Sequence, residues 1–175
     1  MRITGGELKG RRVTGGKGAT VRPTSGRVRE ALFSMIGQEL DGQSVLDLFA
    51  GSGVFSFEAL SRGAERSMLI DGDRAAVASI KRSASELGLA GRVKVKKGRL
   101  PQAIPEGERF DLIFMDPPYA LDVTPVLERV APLVGGLLVL EYGDEGPAVA
   151  GLELVKSRRY GGTVISLYEA TADAP

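Results

Sequence analysis

Val45-Leu46-Asp47-Leu48-Phe49-Ala50-Gly51-Ser52-Gly53 is an apolar strand that runs directly into a glycine turn. The segment after it, Val54–Ser61, reads as a helix, and Arg66–Asp71 reads as the next strand. Strand, helix and strand in immediate succession predict a parallel β-α-β unit. The near-continuous apolar run fits a strand buried on both faces, as in parallel sheets. In such a unit ligands bind in the crevice outside the carboxyl ends of the strands. Gly51 and Gly53 would let the backbone approach a ligand there, because neither carries a Cβ.

The same alternation extends in both directions. Upstream, Thr24 or Ser25 can cap a helix with Val28, Leu32, Met35 and Ile36 on its apolar face, ending at Gly37. Arg27 and Arg29 fall off that face and are expected to point outward. Downstream, Asp73 caps a helix through Val77, Ile80, Ala84 and Leu87 to a stop at Gly88. Arg92–Lys96 alternates apolar and basic residues like an edge strand. Phe110–Met115 and Gly136–Glu141 are buried-type strands joined by a helix around Val123–Val130. Leu152–Tyr160 and Thr163–Tyr168 flank Gly161-Gly162 as a hairpin. The pattern predicts a Rossmann-like, doubly wound α/β domain over residues 24–175. Its sheet is mostly parallel, with an antiparallel C-terminal hairpin, and residues 1–23 form a short basic N-terminal extension, an arm or hairpin.

The 175 residues are 43% hydrophobic and 26% charged, a globular balance that excludes a disordered chain. No apolar run reaches the length of a membrane span. The first residues lack a secretory apolar region, so a cytoplasmic location is the expectation. There is no Cys and no His. That removes disulfides, thiolate nucleophiles, imidazole bases and the commonest zinc ligands, and no metal is expected. Net charge is only +1, but residues 1–29 hold eight basic residues against Glu7 alone. Such asymmetry points to a polyanion partner. The candidate contacts are Arg2, Lys9, Arg11, Arg12, Arg22, Arg27 and Arg29, with Lys156, Arg158 and Arg159 as further candidates.

Asp116-Pro117-Pro118-Tyr119 closes the strand that begins at Phe110. A carboxylate, two rigid prolines and an aromatic ring suit the exocyclic amine of a planar base. The carboxylate and the Pro117 carbonyl accept its hydrogens, the prolines fix the carbonyl's direction, and Tyr119 offers a stacking face. Beside this motif, the glycine turn carries Ser56 where a dinucleotide fingerprint would place its third glycine. Asp47 sits badly beside a pyrophosphate but well beside an ammonium or sulfonium. These features favour S-adenosylmethionine over a dinucleotide. Asp71, at the end of the second strand, can accept from both ribose hydroxyls. The candidate cofactor residues are Asp47, Phe49, Gly51, Gly53 and Asp71.

Taken together, Arg22-Pro23-Thr24, the run Arg27–Phe33, Asp47–Gly53, Glu58–Ala64, Asp116–Tyr119 and the closing Arg158-Arg159-Tyr160-Gly161 resemble the RsmD-type ribosomal RNA methyltransferases. The resemblance covers essentially the whole chain. It implies methylation of the N2 amine of a guanine, guanine 966 in the usual bacterial numbering, in small-subunit 16S rRNA with S-adenosylmethionine. It also implies 16S rRNA, free or within the small subunit, as partner, and a chain of this size is expected to act as a monomer. The resemblance further implies that Gly98, Arg99 and Leu100 lie near the adenine; Arg99 departs from the family pattern, which commonly places an acid after this glycine to contact adenine. The Asp-Pro-Pro-Tyr motif is shared with adenine-N6 methyltransferases, and a non-catalytic rRNA-binding assembly factor is the alternative of a different class.

Overall fold

Each apolar run becomes a strand of one seven-stranded sheet in the computed structural model, which describes residues 1–15 and 25–171. The strands are β1 (Ser44–Leu48), β2 (Arg66–Asp71), β3 (Val93–Lys97), β4 (Phe110–Met115), β5 (Val134–Tyr142), β6 (Leu152–Tyr160) and β7 (Thr163–Ala170). The helices are α1 (Gly26–Ile36), α2 (Val54–Ser61), α3 (Arg74–Glu86) and α4 (Thr124–Val130). Strand order is β3-β2-β1-β4-β5-β7-β6. The first five strands are parallel, and β7 runs antiparallel between β5 and β6. The doubly wound sheet with an antiparallel hairpin at one edge is therefore the fold.

Side-chain alternation along the strands sorts the core into two layers. Val45, Leu69, Phe114 and Val139 face α1, α2 and α3, while Leu46, Ile70, Ile113 and Leu138 face α4. Local signals set the helix ends. Ser25 accepts from the Val28 N–H and Asp73 from the Ala75 N–H, and Gly88 leaves α3 at φ +74°. Among the described residues no helix is long and apolar enough to cross a membrane.

The first helix corrects the sequence reading. Its buried residues are Arg29, Leu32 and Phe33, while Val28, Met35 and Ile36 are only half-buried. Arg29 points inward because its partner is inside. Its Nε lies 3.3 Å from Oε1 of Glu58, a fully buried acid on α2, and its Nη2 donates to the Arg2 carbonyl at 2.7 Å. Arg62 approaches the same acid at 3.6 Å and stacks over the Phe33 ring.

The N-terminal residues are seated on α2 through this knot. Glu58 also accepts from the Thr4 N–H and hydroxyl, at 2.8 and 3.1 Å. Arg2 and Arg12 form an antiparallel bridge, and Ile3 and Val13 enter the core while Leu8 is half-buried. The turn between them caps the end of α2, with the Glu7 N–H on the Ser61 carbonyl and the Ser61 hydroxyl on the Gly5 carbonyl. A Cβ on Gly6 would fall 1.8 Å from the Ser61 carbonyl oxygen, so only glycine lets the chain lie this close.

Removing one member of a buried ionic cluster leaves the others charged and unpaired, at a cost of about 3–5 kcal/mol. Glu58→Ala should lose about that much stability, read as a lower urea midpoint with an unchanged slope. A midpoint at the unmodified value would show that Arg29 and Arg62 find other partners.

Candidate active site

The carboxyl ends of β1, β2 and β4 lie side by side, since Leu48 pairs with both Ile70 and Met115. This brings the glycine turn, Asp71 and Asp116-Pro117-Pro118-Tyr119 to one rim of the sheet. The turn begins with Phe49, a non-glycine residue at φ +59°. That left-handed conformation costs on the order of 1–3 kcal/mol and is characteristic of functional sites. Packing retains it, because Phe49 rests on the α4-side core. Gly51 follows at φ +55°, its N–H held by Asp71 at 2.8 Å.

The two glycines of the turn do different work. A Cβ on Gly51 would meet only the Phe49 carbonyl at 3.8 Å, so its glycine answers to backbone conformation. A Cβ on Gly53 would come within 2.8 Å of Leu69 and 3.0 Å of Phe57. Gly53, at φ +75°, is therefore glycine both for that conformation and for the close start of α2 against β2.

Asp47 and Asp71 hold the turn from two sides. Asp47 is buried and accepts from the Ser56 hydroxyl at 2.7 Å and the Ser56 N–H at 3.3 Å. Gly53, the residue in the N-cap position of α2, has no side chain to cap it, so Asp47 satisfies that first turn from beneath. Asp71 spends one oxygen on the Gly51 N–H and the other on the Asp73 N–H. Gly98 donates to the Asp71 carbonyl at 3.0 Å, which brings the start of the Gly98–Leu100 segment beside Asp71. Lys96, Lys97, Gly98, Arg99, Gln102 and Ala103 line an open depression of about 580 Å³ there.

Asp116 stands just past β4, with Pro117 buried behind it and Tyr119 47% exposed. The Tyr119 ring is held edge-on against Tyr142 at 5.9 Å, and its hydroxyl shares a hydrogen bond with Thr163 of β7. Among the described residues nothing donates to the Pro117 carbonyl or to the Asp116 carboxyl, so both remain open acceptors. Glu141, near the end of β5, is a further buried acid at this rim that the sequence reading did not single out. The Met115–Leu140 register places it abreast of Asp116. The signal was an acid inside the apolar run Leu137–Tyr142.

Two of these acids are raised. Burial pushes the Asp116 carboxyl up to about 8, with the charges of Glu141 and Asp47 adding to it. Burial likewise pushes Asp47 up to about 7, against the Ser56 hydrogen bonds that favour ionisation. A pocket of raised carboxyls suits a cationic ligand, whose charge would favour their ionised forms. The set of acids therefore fits the ammonium and sulfonium of S-adenosylmethionine.

The basic residues scatter. Arg29 is buried on Glu58 and is withdrawn from the candidate RNA contacts. Arg22 lies outside the described residues. Arg2, Lys9, Arg11, Arg12 and Arg27 are exposed, but Arg11 donates to the carbonyl of Glu86, the last residue of α3. Helix α3 starts at the active rim and its 13 residues rise about 20 Å, so Arg11 lies at the opposite end of the domain.

A family model described as conserved hypothetical protein 95 matches residues 1–169. The Bacillus subtilis protein named "Putative rRNA methyltransferase YlbH" is 33% identical over 97% of this chain and 98% of its own length. The Escherichia coli ribosomal RNA small subunit methyltransferase D is 34% identical over 68% of this chain and 60% of that protein. The chain belongs to the RsmD-type rRNA methyltransferase family. A solved structure of a hypothetical protein from Thermus thermophilus superposes with a TM-score of 0.79 at 32% identity, covering 97% of this chain and 99% of that one.

A carboxyl group whose pKa rises on folding binds its proton more tightly in the folded state. Between the ordinary carboxylate value and the raised one, the folded state then holds more protons than the unfolded chain, and stability falls as pH rises. For Asp116 that window runs from 3.8 to about 8. Asp116→Asn should therefore stabilise the free protein, and by more at about pH 8.5 than at about pH 5. Urea unfolding at the two pH values measures the gap; an equal gap would show that Asp116 ionises freely.

Proposed function

We propose that this protein transfers a methyl group from S-adenosylmethionine to the N2 amine of a guanine, of the guanine 966 type, in small-subunit 16S rRNA. The observation that carries the reading is the rim itself. An open carboxyl and an open proline carbonyl stand beside an exposed tyrosine face, next to an acid-lined glycine turn. S-adenosylmethionine supplies an electrophilic methyl group on a sulfonium that leaves without acid catalysis.

The protein's part is positioning. A guanine N2 amine is a weak nucleophile because its lone pair is delocalised into the ring. Ionised beside the cationic cofactor, the Asp116 carboxylate accepts one N–H hydrogen bond and the Pro117 carbonyl the other, which favours a pyramidal nitrogen with its lone pair free. As the N–C bond forms and the C–S bond breaks, the surplus amine proton passes to Asp116. Tyr119 holds the ring plane, itself braced by Tyr142 and Thr163. Fixing the nucleophile in line with its target supplies most of the acceleration, and no imidazole or thiol is needed. A stacked base cannot reach this slot, so the guanine must be unpaired or flipped, at a few kcal/mol.

On the cofactor side, Asp71 has its carboxylate fixed by two backbone N–H groups, ready to accept from ribose hydroxyls. Asp47 acts through the turn it supports, and its charge attracts the cationic end of the cofactor. The backbone of Gly98–Leu100 faces the adenine. Arg99 cannot accept from the adenine amine, so that contact falls to backbone carbonyls. The names of the relatives above support an rRNA substrate.

Asp116→Ala should reduce methyl transfer to 16S rRNA by at least about 10²-fold while cofactor affinity changes little. Labelled S-adenosylmethionine, filter binding and mapping of the modified base measure both; near-normal turnover would remove Asp116 from the chemistry. S-adenosylmethionine should bind more tightly as pH rises toward about 8, because its cation favours the ionised acids. Titration calorimetry across that range tests this, and affinity independent of pH would remove the acids from cofactor recognition.

A further inference from the structure

We propose that the β6–β7 hairpin is an RNA-backbone clamp, with Arg158 near its tip and Lys156 at its middle gripping phosphates that flank the nucleotide entering the site. The proposal rests on the reading of Asp116–Tyr119 as the target-base slot.

Register brings the tip to that slot. Tyr142, the last residue of β5, pairs with Val164, so the turn of the hairpin stands at the same rim as Asp116. The tip is anchored on two sides. Thr163 shares its hydroxyl hydrogen bond with Tyr119, and the Tyr160 hydroxyl donates to the Met35 sulfur on α1 at 3.7 Å. Beyond these anchors the tip stands clear of the protein. A Cβ built on Gly161 or Gly162 meets nothing within 4 Å.

Charge is sorted along the hairpin. Its far end carries Glu153 directly opposite Glu169, Lys156 stands at its middle, and Arg158 and Arg159 occupy the half nearer the site. Alternation puts Arg158 and Lys156 on the α1 face, where their partners Ile165 and Leu167 enter the core. Arg159 points to the opposite face and is engaged by Asp144 at 3.0 Å. Arg158 and Lys156 are both exposed.

A polyanion threaded past Tyr119 would meet these two cations and the open glycine turn before any of the basic residues near Arg11. Contacts of this kind position the RNA and do not read its sequence. Because Thr163 ties the tip to Tyr119, gripping the backbone would also hold the stacking face in place. Basic side chains on an edge strand also discourage strand-to-strand aggregation. That role alone predicts no effect on RNA.

The test compares Lys156→Glu with Arg158→Glu against Lys9→Glu with Arg11→Glu, in the full chain. Two readouts are used, salt-dependent binding of a fluorescent single-stranded RNA oligonucleotide and methyl transfer to 16S rRNA. The hairpin pair should weaken oligonucleotide binding roughly 10-fold or more and lower the salt slope by about two. It should raise KM for rRNA with kcat at saturating RNA nearly unchanged, and leave S-adenosylmethionine affinity intact. The Lys9 and Arg11 pair should change each readout less than about 2-fold. Wild-type binding and slope in the hairpin pair would overturn the proposal, as would equal losses in both pairs. Self-association of the hairpin pair with unchanged RNA binding would overturn it in favour of edge protection. Absence of methyl transfer to rRNA by the unmodified protein would instead strike the parent reading, and the oligonucleotide arm would still decide the clamp.

Discussion

One buried carboxylate organises the helical face of this fold. Glu58 receives Arg29 from α1, Arg62 from its own helix and Thr4 from the N-terminal bridge. A fully buried acid is tolerable only when its charge and lone pairs are met, and here guanidinium and backbone donors converge on it. The consequence is positional. Helix α2 is clamped between the N-terminal residues and α1, so its first turn, and with it the glycine loop after β1, is held in place. Gly5 and Gly6 are the concessions that let these backbones and the Arg62 guanidinium fit so closely.

The rim at the other end of α2 has the opposite character. Asp47, Asp116 and Glu141 are gathered where burial raises two of them above the carboxylate range. An acidic core balanced by arginines makes structure; an acidic rim with raised carboxyls makes a site for a cation. The strained Phe49 and the Asp71-held Gly51 complete that rim. Its cost to the free protein fits a surface built to be relieved by a ligand.

The polyanion-facing side also changes meaning in three dimensions. Eight basic residues among the first 29 looked like one polyanion-facing surface. Folding buries one of them against Glu58 and anchors another at the far end of α3. The C-terminal hairpin, which carries fewer charges, is delivered by strand pairing to the mouth of the site. Charge counted along a chain says that a polyanion is expected. Where it docks follows from which elements the sheet brings to its carboxyl rim.

Much of the architecture was legible in the residues alone, because local chemistry dictated it. Val54–Ser61 begins after a glycine turn and Asp73 caps α3, while Gly161-Gly162 turns the last hairpin; these are short-range effects that neighbours cannot easily override. Asp116-Pro117-Pro118-Tyr119 was likewise readable, since nothing about packing asks for that tetrapeptide. Three things were decided only by the tertiary structure. Arg29 faces inward because an acid 29 residues away is buried opposite it. Gly53 is glycine because Leu69 and Phe57 press on it. Glu141 stands beside Asp116 because β5 pairs with β4 in one register. Each depends on a partner distant in sequence, and periodicity carries no record of which distant residue will arrive.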